Sequence, residues 1–136
     1  MADTKKKKSD AFTQTRSEAP EFEGQSVVEE KVDDRAVGFL EVYGLVCAFM
    51  AADAGCKAAN VTLEPFDKNK PANADTLPVP LLVTIKFRGT VSDVTAAVEA
   101  GRQVAERISG VVTSHVIPRP VGDTLKMLRI SGFDVD

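Results

Sequence analysis

Between Leu45 and Ala59 the chain sets Ala48, Ala51, Ala52, Ala54, Gly55, Ala58 and Ala59 into a run of helical character. A helix with so little side-chain bulk fits only where its backbone lies close to a sheet or a neighbouring chain. The apolar run Gly38-Phe39-Leu40-Glu41-Val42-Tyr43 leads into it through Gly44, so a strand hands over directly to this helix.

The rest of the chain repeats that alternation. Ala36 to Tyr43 reads as strand, Leu45 to Ala59 as helix and Val61 to Asp67 as a second strand. Lys68 to Pro80 is a loop punctuated by Pro71, Pro78 and Pro80. Leu82 to Arg88 alternates, with Val83, Ile85 and Phe87 expected on a buried face and Thr84, Lys86 and Arg88 on an open one. Thr90 and Asp93 have capping-box spacing, with aspartate where glutamate is usual. Val91, Val94, Val98, Gly101, Ala105 and Ile108 then recur at helical spacing until Gly110. Val111 to Ile117 gives a fourth strand and Leu125 to Ile130 a short closing helix. Strand, helix, strand, strand, helix, strand predicts an α/β (α+β) fold, a ferredoxin-like sandwich. Its four-stranded, mostly antiparallel sheet carries the helices on one face.

Residues 1–35 differ in composition, with Lys5 to Lys8 followed by polar and acidic residues, and are expected to be a mobile extension. Within it, Val27 to Val32 could add a short strand. The lysine run is either a solvated terminus or a docking handle for an acidic partner. A net charge of −3 gives no electrostatic case for nucleic acid or an anionic membrane, and no apolar run approaches the ~20 residues of a membrane span. No secretory pattern follows the lysines. Cys47 and Cys56 fall on opposite sides of one helix and read as small buried hydrophobes. His115, the only histidine, is expected as a buried structural residue in the fourth strand. Catalytic constellations, metal-ligand spacings and phosphate-cradling loops are not visible, so the chain reads as a non-enzyme without a cofactor.

Near the end, Ser114-His115-Val116-Ile117-Pro118-Arg119-Pro120 sets an arginine between two prolines after a strand. The prolines stiffen the backbone on both sides, a suitable stalk for a cation that reaches another molecule. This segment, together with Gly38 to Gly44, Ala51-Ala52-Asp53, Lys57-Ala58-Ala59-Asn60-Val61, Val83 to Gly89 and Ala97 to Gly101, resembles the bacterial microcompartment shell proteins. The likeness is to the single-domain, hexamer-forming type of diol and ethanolamine metabolosomes, in unpermuted order from Ala36 to Ile130. It implies a shell domain over 36–136, located in the microcompartment shell of the bacterial cytoplasm. It also implies cyclic homohexamers that tile with other shell proteins around enclosed enzymes, which the extension could recruit.

By the same resemblance, Lys57, Asn60 and Arg119 form the hexamer–hexamer edge, with the arginine reaching into a pocket on the adjacent ring. Arginine suits that role because its planar donors match backbone carbonyls. The loop between second and third strands would line a central pore. Here it is long and free of glycine, with Lys68, Asn69, Lys70, Asn73 and Asp75 as the polar groups facing the passage. Three prolines predict a partly ordered collar, unless the loop folds outward. The competing reading is a ferredoxin-like regulator that holds a small anionic ligand in this loop.

Overall fold

The computed structural model describes residues 33–134. The expected extension, with its lysine run and the candidate strand at Val27 to Val32, lies outside the described residues. Strand β1 (Ala36–Tyr43) turns Leu40 and Val42 into the core and leaves Phe39, Glu41 and Tyr43 half-buried on its other face. Gly44 adopts φ 90°, which glycine reaches at no steric cost, and its N–H donates to Leu81 O at 2.8 Å. Helix α1 (Leu45–Ala58) starts there.

The small residues of α1 have a direct structural reason. A Cβ on Gly55 would stand 2.5 Å from the Phe87 ring and 2.9 Å from Ala97 O, and one on Gly101 would stand 2.9 Å from Ala51 O. Helices α1 and α2 (Val91–Ile108) therefore meet at backbone distance while both lie on the sheet. Val94, Ala97, Val98, Gly101 and Ala105 form the buried face of α2, with Val91 and Ile108 exposed at its two ends.

The remaining strands are β2 (Thr62–Leu63), β3 (Asp67–Asn69), β4 (Leu82–Gly89) and β5 (Val111–Ile117). Their order is β2–β4–β1–β5, with β3 pairing farther along the same side of β4, and every pairing is antiparallel. The four-stranded ferredoxin-like path is thus observed, with its second strand in two pieces. The expected continuous strand from Val61 to Asp67 is interrupted at Pro65, which has no N–H to donate to the ladder. Glu64 N–H still reaches Lys86 O at 3.0 Å just before the break.

Two further expectations are corrected on the sheet's second face. Helix α3 (Gly122–Leu128) begins and ends earlier than the predicted Leu125 to Ile130, and it covers the face opposite α1 and α2. Strand β4 is buried on both sides: the α3 segment encloses Lys86, 3% exposed, while Glu64 and the Arg35–Ala36 main chain enclose Arg88, 1% exposed. Each cation is compensated. Lys86 Nζ donates to Leu128 O and Ile130 O, both at 3.0 Å, and Arg88 pairs with Glu64 at 2.9 Å while donating to the Ala36 and Arg35 carbonyls.

His115 is exposed and not buried: it lies on β5, the outermost strand among the described residues, and borders a surface groove with Thr95, Val98 and Glu99. Cys47 is buried and Cys56 half-buried, and burial, helped by the charge of Asp53, pushes the Cys56 thiol up.

Candidate assembly edge and passage loop

One rung of the sheet organises the candidate residues. Thr62 pairs with Arg88, Arg88 with Val37, and Val37 with Ile117, so a continuous line crosses four strands. Asn60 lies two residues outside one end of that rung and Arg119 two residues beyond the other. At about 4.8 Å per strand spacing, Thr62 and Ile117 are roughly 14 Å apart. Lys57, Asn60 and Arg119 thus share one end of the sheet, but Arg119 stands on the opposite margin from the other two. An arginine so placed is separated from its own Lys57 and Asn60 by the width of the sheet.

Lys57 occupies the last turn of α1, where a cation is favoured by the carbonyl end of the helix. Its Nζ pairs with Asp53 Oδ2 at 2.7 Å, one turn earlier, and both side chains are exposed. That hydrogen bond, and then the carboxylate charge, hold the Lys57 ammonium above its ordinary value. Ala59 is extended and ends the helix, which turns Asn60 out at the corner. Asn60 is exposed, and its backbone N–H donates to Asp93 Oδ1 at 3.3 Å. The Arg119 guanidinium is exposed and makes no hydrogen bond or ion pair with any described residue.

The loop lies at the other end of β4. Asn69 pairs with Leu82 and Leu82 with Tyr43, whereas Asn60 O sits 3.0 Å from where a Cβ on Gly89 would be. Seven steps of strand at about 3.4 Å separate these two ends by roughly 24 Å. Within the loop a single 3-10 turn (Ala74–Thr76) follows Pro71 and Asn73. It is held by Ala74 N–H to Pro71 O at 3.1 Å and by Thr76 Oγ1 to Asn73 O at 2.7 Å. Ala74 is buried, whereas Lys68, Asn69, Lys70, Asn73 and Asp75 are exposed. Leu77, Pro78 and Val79 line a cleft with Tyr43 and Ile108, so the returning arm of the loop faces the end of α2 across it. Lys68 lies over the Phe133 ring at 5.1 Å from its centroid, and Asp67 Oδ1 accepts from the Lys68 and Gly132 N–H groups at 2.9 Å.

Two participants escape sequence reasoning. Asp53 and Asp93 carry ordinary surface and cap explanations as isolated residues, yet each bonds a residue of the candidate edge. The i,i+4 spacing of Asp53 and Lys57 was the available signal for the first. For Asp93 the signal was its aspartate identity at a position where a capping box favours glutamate.

A family model for the BMC domain matches residues 36–120. The chain is 39% identical over 97 residues to bacterial microcompartment shell protein PduA of Citrobacter freundii, a match covering 71% of this chain and 95% of that one. It is 38% identical over 96 residues to shell protein EutM of Salmonella typhimurium, covering 71% and 91%. With carboxysome shell protein CcmK2 of Synechococcus elongatus the identity is 40% over 87 residues, covering 62% and 76%. A solved microcompartment protein from Desulfitobacterium hafniense superposes with a TM-score of 0.54 at 26% identity, over 71% of this chain and 47% of that one. Sequence, strand order and superposition converge, and the chain belongs to the BMC domain family.

Proposed function

We propose that this protein is a structural shell protein of a bacterial microcompartment, resident in the shell, whose six-fold rings tile edge to edge around a central passage. The observation that carries the reading is the shared rung from Thr62 to Ile117, which sets Asn60 and Arg119 at opposite margins of one end of the sheet. A flat tile needs complementary groups displaced in this way, so that one copy's arginine meets another copy's lysine and asparagine. Stiff proline flanks reduce the ordering entropy that Arg119 loses on contact. Lys57 contributes its apolar stem and its donors at the rim, with its charge offset by Asp53.

Lys68, Asn69, Lys70, Asn73 and Asp75 line the passage in this reading, and the proline-bearing loop forms a collar that narrows it. Cations and amides along such a wall favour small polar metabolites over apolar ones. Residues 1–35 precede the matched region. Their Lys5 to Lys8 run would suit an acidic face on an enclosed enzyme.

The test is solution mass by light scattering, followed by negative-stain imaging of concentrated samples. Six copies of the 14.6 kDa chain in one particle, with sheets or hexagonal arrays at high concentration, are expected. Arg119→Ala should keep the ring mass and lose the arrays. A dimer or trimer that never forms layers would refute the tile and favour a ligand-sensing ferredoxin-like module.

A further inference from the structure

We propose that Asp93 is a positioning residue of the assembly edge, holding the main chain of Asn60 from the first turn of α2. The inference rests on the edge reading above and adds a residue to it.

In a capping box the residue three beyond the cap sends its carboxylate back to the cap's own N–H, a reach that suits glutamate. Thr90 is the cap here, and its Oγ1 accepts from Asp93 N–H at 3.1 Å, so the first half of the box is present. The second half is diverted. Asp93 Oδ2 accepts the Thr90 hydroxyl proton at 2.9 Å, and Oδ1 accepts from Asn60 N–H at 3.3 Å. With one methylene fewer than glutamate, the carboxylate keeps one oxygen on the cap hydroxyl and presents the other to the end of α1.

The surroundings reinforce that contact. Gly89 immediately precedes the cap, and a Cβ there would lie 3.0 Å from Asn60 O and 3.5 Å from Asp93 Cβ. The corner from β4 into α2 thus lies close to Asn60 on both sides, Asp93 at its N–H and Gly89 beside its carbonyl, and a side chain at 89 would press on that carbonyl. Asn60 itself follows an extended residue that has left α1 and precedes β2, so neither helix nor sheet fixes its amide. The hydrogen bond from Asp93 supplies the missing restraint at the point where the candidate edge is built.

The discriminating variant is Asp93→Glu in the full-length protein. Glutamate completes the ordinary capping box, so thermal stability should hold or rise, while the carboxylate leaves Asn60. The concentration at which layers appear should then increase about tenfold, the weight of roughly one hydrogen bond. Ring mass should stay constant, and Asn60 amide exchange should accelerate. Asp93→Ala should raise the onset similarly with some loss of stability. Asp93→Asn, which keeps an acceptor of the same shape, should restore most of the assembly. Layers at the parent's concentration from both Asp93→Glu and Asp93→Ala would overturn the proposal and reduce Asp93 to a cap. Failure of the edge itself would show separately, as undiminished layers from Arg119→Ala.

Discussion

Lys86 shows how a single buried charge reports on the rest of the chain. Its ammonium is enclosed, donates to two carbonyls of the C-terminal segment and lies 3.9 Å from Asp67. Burial pushes its pKa below the ordinary lysine value, and the charges of Asp67 and Glu64 only partly pull it back. Between that lowered value and 10.5 the unfolded chain binds more protons than the folded one, so stability gains with rising pH across the window. Lys86→Met removes the titration and leaves the two carbonyls short of a donor, at a cost of about 1–3 kcal/mol at neutral pH. Denaturant melts of both proteins at a series of alkaline pH values test this. The parent's advantage over Lys86→Met should widen towards pH 10.5, and a constant gap would show that Lys86 titrates alike in both states. The sequence concealed this residue for a physical reason. Alternation identifies two faces of a strand, but only a segment some forty residues downstream decides that the polar face is covered.

At the scale of elements, legibility followed the locality of the cause. β1, α1, β4 and β5 were readable almost to the residue because glycines at 38, 44, 89 and 110 and periodic apolar positions fix them locally. The split of the second strand was also written in the chain, as Pro65, but a short apolar run obscured it. The end of α3 was not, because it is set by contacts of the following segment. Ser131 Oγ bonds Phe66 O, Gly132 N–H bonds Asp67, and Lys86 holds Leu128 and Ile130, so residues 128–132 strap the start of the long loop. The alanine-rich α1 was legible as a close-packing helix, and its tightest point yields a prediction. Gly55→Ala puts a methyl where Phe87 ring atoms lie 2.5 Å away, with the Ala97 carbonyl at 2.9 Å to block retreat. Overpacking of this kind costs about 1–3 kcal/mol, outweighing the ~1 kcal/mol that alanine gains over glycine in a helix. Chemical denaturation should therefore show a net loss, and a Gly55→Ala protein more stable than the parent would mean the helices can separate freely.

For the whole molecule, the described residues leave apolar surface and a sheet edge open. α1 turns Val46, Phe49 and Met50 outward at 71%, 60% and 51% exposure, and β5 keeps an open edge among the described residues. Surfaces like these are usually covered by a partner. The candidate edge was legible only through the pattern of several motifs together, since Lys57 alone reads as a helix-end cation and Arg119 alone as a surface arginine. The separation of edge and loop at opposite ends of β4 then makes the two roles independently testable. Replacing Lys70 to Leu81 by a two-residue Asn-Gly turn would close β3 onto β4 directly, at the Asn69–Leu82 pair. It removes Leu81, whose carbonyl accepts from Gly44 N–H, and the wall of the cleft beside Tyr43 and Ile108, so some stability should be lost. Lys57, Asn60 and Arg119, about 24 Å along the strand, should be unaffected. Layers should form at the parent's concentration, and averaged images should show a wider central hole in each ring. A hole of unchanged width would mean that the loop folds away from the axis and that the collar reading is wrong. Loss of the layers with the ring intact would instead make the loop part of the lattice, against the division of labour that the two ends of the sheet imply.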